Sequence, residues 1–249
     1  MDVLRSFIRL NRRASDWLAR TMPKTFGTPS PCYFDAMSAR VAKTIAEDRP
    51  GIVLEAGGVD RPMMSRSPDY RFVGLDIDEQ PDCATLYDDF IVQSIEEPVP
   101  LRADLIVSLT LLEHVPNNRR AIKSMFDSLR PGGSMHHYVP SGFHPYSLAL
   151  RLVGPKIQKA LIPILRPGAE DVTGYPAFFD QCSPGKMEKL LHEAGFRDIK
   201  ILPYYRANDY FAFFTPLFVT ISLFEDACSV LGIRLFSSGF VFSATRPKS

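Results

Sequence analysis

Between residues 32 and 140 the chain alternates between two hydrophobic periods. Phe34, Met37, Val41 and Ile45 recur at helical spacing, Pro50-Gly51 stops that helix, and residues 52–54 form a short apolar run bounded by glycines, the mark of a buried strand. Residues 71–75 (RFVGL), 90–92 and 103–109 (ADLIVSL) predict three more strands. All four runs are nearly apolar throughout, which predicts strands covered on both faces, as in a parallel sheet. Ile122, Met125, Phe126 and Leu129 restore helical spacing over residues 117–129, and Pro131-Gly132-Gly133 ends that helix before a fifth strand at 135–139. The pattern is that of a doubly wound α/β half. Between strands two and three the segment DEQPDCATLYDD is short and holds Pro81, so a loop or brief turn is expected there in place of a crossover helix.

Beyond Pro140 the periodicity blurs through two Pro/Gly-rich stretches, 140–155 and 163–185, and residues 140–183 are expected to be an insertion covering the sheet edge. A helix follows at 184–194 (PGKMEKLLHEA), then strands at 196–202 and 239–244, separated by an aromatic, helix-like stretch from 210 to 231. Seven strands make one domain over residues 32–249, preceded by a cap at 1–31.

Charge changes the picture only at the N-terminus. The whole chain has 29 Lys and Arg against 28 Asp and Glu, which excludes a general nucleic-acid binder. The first 24 residues nevertheless carry six basic side chains against Asp2 and Asp16. Val3, Leu4, Phe7, Ile8, Trp17 and Leu18 interleave there with Arg5, Arg9, Arg12, Arg13 and Arg20, the pattern of a basic amphipathic helix. Packing on its own domain is the preferred reading of that helix, with membrane or partner contact as the other. It lacks the apolar core and cleavage site of a secretory signal, and Asp2 and Asp16 count against a transit peptide. Residues 146–166 also pair Leu and Ile with Arg151, Lys156, Lys159 and Arg166, a second candidate for peripheral membrane contact. No stretch is long and apolar enough for a transmembrane helix. Cys32, Cys83, Cys182 and Cys228 form no CxxC pair and read as reduced thiols of a cytoplasmic protein.

The chemistry starts where strand one runs into VLEAGGVD. Gly57-Gly58 directly after Glu55 lets the backbone approach a ligand, and in an open parallel sheet ligands lie beyond the carboxyl ends of the strands. Strand two ends in Asp76, an acidic side chain placed to accept both hydroxyls of a ribose. A nicotinamide cofactor and S-adenosylmethionine both present such an adenosine. A pyrophosphate asks for GxGxxG, whereas this chain reads Gly57-Gly58-Val59-Asp60-Arg61-Pro62, with Asp60 repelling a pyrophosphate. That disfavours a nicotinamide oxidoreductase, and Glu55 suits the amino-bearing methionine part of S-adenosylmethionine.

Four features in this order, VLEAGG, FVGLDID, ADLIVSLTLLEHVPN and the SLRPGG turn, make residues 52–140 resemble the class I S-adenosylmethionine-dependent methyltransferases, in particular small-molecule methyltransferases with the LEHV signature. The resemblance implies a Rossmann-like, doubly wound seven-stranded sheet, mostly parallel with an antiparallel last strand, which GFVFSAT would supply. It places Glu55, Gly57 and Gly58 near the methionine moiety, Asp76 on the ribose and Ile77 on the adenine. Ser94 and Ile95 fall where an acidic residue often meets the adenine amine, and Leu109 and Thr110 line the floor.

His114 is the candidate catalytic base, since an imidazole can take a proton from a nucleophile as the methyl arrives. Ubiquinone-biosynthesis O-methyltransferases, which this segment also resembles, add a metal-holding Glu where this chain has Thr110, so no metal site is expected at Glu113 and His114. His136 and His137 alternate on strand five and face opposite sides. In the insertion, His144, Tyr146, Tyr175 and Asp180 are candidate substrate contacts of a lid, with a structural cap as the other reading. The expected reaction is methyl transfer to a small-molecule or partly apolar acceptor such as a glycan intermediate, lipid precursor or secondary metabolite. A degenerate, non-catalytic binding protein is the alternative, on the evidence of Val59 and Ser94.

Overall fold

A computed structural model describes residues 2–165 and 176–248. Seven strands form one sheet: β1 (Ile52–Ala56), β2 (Arg71–Asp76), β3 (Asp89–Val92), β4 (Ala103–Leu109), β5 (Leu129–Pro140), β6 (Arg197–Tyr204) and β7 (Gly239–Thr245). They lie in the order β3-β2-β1-β4-β5-β7-β6. The first five pair parallel, and β7 runs antiparallel to both β5 and β6, as the resemblance implies.

Strand alternation sends neighbouring residues to opposite layers. Leu54, Leu75, Ile106 and Met135 pack in one cluster with Ile122 and Met125 of α5 (Asn118–Ser128) and Leu190 and Leu191 of α7 (Pro184–Ala194). Val53, Phe72, Leu105 and Val107 face the other way, onto Met37 and Val41 of α3 (Tyr33–Asp48). His136 and His137 divide the same way: His136 bonds Thr44 of α3 and Ser243, while His137 bonds Ser108 and stacks on Phe242.

Three details depart from the expected pattern. The β2–β3 connection is the single turn α4 (Cys83–Leu86), as expected, but the β1–β2 connection also has no helix, and the Val59, Met63 and Met64 side chains cover that part of the sheet beside Tyr87. β5 begins at Leu129, ahead of the Pro-Gly-Gly turn, because Gly132 N–H donates to Arg246 O and Arg246 N–H to Gly133 O, tying the turn into the sheet. The blurred insertion holds a long helix, α6 (Pro145–Leu165), broken at Gly154, whose φ of 73° no helix accepts. Its proline- and glycine-rich composition had hidden the element.

The N-terminal segment forms α1 (Asp2–Thr21) and the short α2 (Pro23–Phe26), and α1 packs on α8 (Thr215–Val230). Asn11 Oδ1 accepts from Thr215 N–H at 2.9 Å, satisfying one of the amides left open at the start of α8. Packing on its own domain, the preferred reading of that helix, is therefore one of its roles.

Candidate active site

The order of the sheet reverses between β1 and β4, so the crevice that serves ligands in open α/β sheets lies beyond their carboxyl ends. Gly57 leaves β1 with φ of 83°, a left-handed conformation that costs glycine nothing, and a Cβ there would press on the Leu111 side chain at 3.0 Å. The end of β1 thus touches the segment after β4. Thr110, the first residue past β4, holds φ of 57° without being glycine, with its N–H on Tyr138 O and its hydroxyl on Leu109 O. Non-glycine residues in this region are strained and persist where the surroundings fix them, often at functional sites.

Asp76 at the end of β2 is half-buried, its Oδ1 accepting from Asp78 N–H at 3.0 Å, and burial holds its pKa above the usual carboxylate value. Ile77 beside it is 60% exposed, an apolar shelf next to a carboxylate. Asp76 O accepts Gln93 N–H, which brings Ser94 alongside. Ser94 Oγ accepts from Glu96 N–H and turns the chain, while the Ile95 side chain enters the core, leaving only its backbone for an adenine contact.

Glu55 departs from expectation. It is fully buried at the end of β1, and its two oxygens accept from Met63 N–H at 2.6 Å and Met64 N–H at 3.4 Å. The carboxylate holds the helix-free β1–β2 loop in place of facing a cofactor amine, and desolvation pushes its pKa to about 7. Gly58 must be small for the same reason: a Cβ there would overlap the Tyr87 hydroxyl and sit 2.7 Å from Glu55 Oε1.

After β4 the 3-10 turn Leu112–His114 carries the LEH residues. Its backbone is pinned from the insertion side, where Phe178 and Phe179 N–H both donate to Glu113 O. The Glu113 carboxyl is buried, its Oε2 lacks a partner among the described residues, and desolvation raises its pKa to about 8. Burial thus favours its neutral, protonated form. His114 Nδ1 lies 3.0 Å from Pro176 O, and since a carbonyl only accepts, Nδ1 carries the proton and Nε2, 3.7 Å from Glu113 Oε1, is the basic nitrogen. Burial lowers its pKa, opposed by the Pro176 contact and by Asp76.

The candidate substrate contacts do not form one open wall. His144 is fully buried, its Nδ1 accepting from Tyr146 N–H and its Nε2 3.1 Å from Glu225. Tyr146 is buried too, stacked on Tyr210 with its hydroxyl directed to Ser238 O. Asp180 accepts from Asn118 N–H at the start of α5 and ties the insertion to that helix. Tyr175 lies outside the described residues. Local patterning missed Tyr87, Leu111, Asn118 and the neutral state of Glu113; only Asn118, following the Pro-Asn of the LEHVPNN run, carried a signal, that of a helix start.

Residues 32–201 match the family model of a methyltransferase domain, more than half of the chain. The chain belongs to that family. Among solved structures, the phosphoethanolamine N-methyltransferase 2 of Haemonchus contortus, in complex with S-adenosyl-L-methionine, is similar over 93% of this chain and 59% of its own, with 12% identity and a TM-score of 0.53. A S-adenosylmethionine-dependent methyltransferase of Archaeoglobus fulgidus is similar over 86% of this chain and 95% of its own, with 14% identity and a TM-score of 0.49. No curated protein sequence matches the chain. By family the chain is a methyltransferase, and its fold is the Rossmann-like one of the neighbour that binds S-adenosyl-L-methionine. The residues present fit the nucleoside half of that cofactor: a carboxylate for the ribose at Asp76, an exposed apolar shelf at Ile77, and a glycine at the β1 end whose side chain would crowd the crevice.

Proposed function

We propose that the chain transfers the methyl group of S-adenosylmethionine to a hydroxyl or amine of a small or partly apolar acceptor, with a glycan intermediate, a lipid precursor and a secondary metabolite as the classes to screen. The juxtaposition of Asp76, Ile77 and Gly57 at the strand ends carries this reading. Asp76 accepts the ribose hydroxyls, Ile77 packs on the adenine, Ser94 and the Ile95 backbone meet its edge, Gly57 and Gly58 leave room for the methionine chain, and Leu109 and Thr110 form the floor. The bound cofactor supplies an electrophilic methyl on a sulfonium, so the protein contributes alignment and proton transfer and no nucleophile of its own.

His114 is the base in this reading. Its neutral imidazole accepts at Nε2 the proton released by the acceptor, while Pro176 O fixes the tautomer through Nδ1. The acceptor enters from the side of the insertion, where Phe178, Phe179 and Asp180 anchor the chain to the LEH turn and to α5. His144 and Tyr146 support that wall from within. The four unpaired thiols favour a reducing, cytoplasmic setting.

Isothermal titration with S-adenosylhomocysteine, on the wild type and on Asp76→Ala, tests the reading. Saturable binding that weakens about thirtyfold in the variant is expected, the effect of losing hydrogen bonds to a charged acceptor. A folded wild type that binds no S-adenosylhomocysteine would favour the degenerate binding protein instead.

A further inference from the structure

α1 has three faces, and the fold buries only one of them. Ile8 and Ser15 are buried against the α8 region, where Ser15 Oγ donates to Ala212 O and Thr215 Oγ1 to Asn11 O. A second face holds Val3, Phe7, Leu10, Ala14 and Trp17, whose alternating spacing of four and three puts them in one stripe. The stripe stands in solvent: Val3 is 85%, Leu10 69% and Trp17 59% exposed. Arg5, Arg9, Arg13 and Arg20 make the third face, directly beside it.

The apolar surface continues off the helix. Phe7 stacks on the half-exposed ring of Phe214 at the start of α8, with centroids 6.3 Å apart.

We infer that this stripe docks the protein on an anionic lipid bilayer, with α1 lying in the interface plane between the membrane and α8. A helix of large apolar and basic faces with a tryptophan on the apolar side has the composition of interfacial helices. Charge selects the occupant. Six of the chain's 29 basic residues fall in the first 24 positions against Asp2 and Asp16, so residues 1–24 carry +4 while the other residues together carry −3. A second copy would bring one arginine face against another. Anionic headgroups complement it, at about 1 kcal/mol per Arg near the surface. The inference stands apart from methyl transfer and from the cofactor site.

Trp17 is the only tryptophan and reports on the stripe directly. With the full chain and vesicles of phosphatidylglycerol and phosphatidylcholine, its emission is expected to shift to the blue and become protected from aqueous quenchers, with co-sedimentation of the protein. Pure phosphatidylcholine vesicles should bind far less. Leu10→Glu should abolish binding while keeping the wild-type melting curve, because Leu10 makes its exposed contacts with solvent. Arg13→Gln with Arg20→Gln should weaken binding about thirtyfold, the effect of two surface charges. Unshifted emission of the wild type on anionic vesicles would overturn the inference, as would unchanged binding of a folded Leu10→Glu. A blue shift that appears without lipid and grows with protein concentration, together with a dimer in sedimentation, would assign the stripe to a second copy and overturn it equally.

Discussion

On the β1–β3 side of the sheet, short loops join the strand ends; on the β5–β7 side, α1, α6 and α8 gather against one another through contacts between residues far apart in the chain. The first side holds its polar groups by neighbours: Glu55 by Met63 and Met64, Asp76 by Asp78, Ser94 by Glu96. The second holds them by distance. His144 and Arg206 converge on the fully buried Glu225, which also accepts Ala207 N–H, and Arg206 continues to Asp226 at 2.6 Å. The difference separates two jobs. The first side leaves backbone open at the strand ends, while the second anchors the helices that carry the exposed stripe, and non-glycine residues at positive φ occur on both, Val59 and Thr110 on the first and Phe179, Gln181 and Asp198 on the second.

Removing the centre of the distant network is the strongest way to test that contrast. Glu225→Ala leaves the His144 Nε2 donor, the Ala207 amide and the mostly buried Arg206 guanidinium without their shared acceptor. Breaking a buried pair from one side costs about 3–5 kcal/mol. Urea unfolding is expected to show a loss of that size, with S-adenosylhomocysteine affinity retained by the protein that remains folded. Equal loss of cofactor affinity would mean that the two sides are one unit.

The converse change acts on the near side. A methyl group at Gly58 collides with the Tyr87 hydroxyl and with Glu55 Oε1, both packed under the β1–β2 loop. Overpacking of this kind costs about 1–3 kcal/mol. Gly58→Ala is expected to lower stability by that amount and to weaken S-adenosylhomocysteine binding in titration, because the displaced carboxylate releases the loop.

The same contrast explains what was legible in the sequence. β1, β2, β4 and the glycines after Glu55 are short, local patterns, and their order in the sequence already implies the fold and the family. The antiparallel β7 was expected and is present. The partners of Glu55 were not visible, since only the absence of a helix after β1 brings Met63 and Met64 beneath it. Over α6 the sequence shows an amphipathic stretch but no clean helical period, because its glycine and prolines interrupt it, and Gly154 does break the helix. His144 looked like a substrate contact because nothing near it in sequence announces Glu225, 81 residues away.

Acidity sharpens the comparison at a smaller scale. The buried carboxyl of Glu113 is raised from 4.5 to about 8, so above pH 4.5 the unfolded chain loses its proton first. Its contribution to stability is complete below pH 4.5 and declines until pH 8. Glu55, raised to about 7, follows the same sign over a shorter range. His136 and His137, lowered to about 4 and 3, act oppositely: unfolding takes up protons below pH 6.5 and stability falls as the pH drops. Between pH 7 and 8 those histidines are mostly neutral in both states, and the decline comes chiefly from Glu113 with a smaller part from Glu55. Urea unfolding in this window should show stability falling by up to about 1.4 kcal/mol per pH unit, flattened in Glu113→Gln.

The smallest expected effect concerns His114, and it bears on catalysis alone. Burial makes the charged imidazole less favourable, and this outweighs the Pro176 carbonyl and the Asp76 carboxylate, which both favour it. The folded protein therefore keeps His114 neutral to a lower pH than a free histidine, and a base acts only when neutral. With an acceptor in hand, the acid limb of kcat/KM should fall below pH 6.5, the ordinary histidine value. Asp76→Asn removes one of the two groups that oppose burial and should move the limb lower still, provided the cofactor is saturating. If His114 is the base, as proposed, His114→Gln should erase the limb while leaving S-adenosylhomocysteine binding, assigned in the same proposal to the ends of β1 and β2, in place. A limb that survives in His114→Gln would transfer the role of base to another group and leave the LEH turn as the structural link between β4 and the insertion that Phe178 and Phe179 already show it to be.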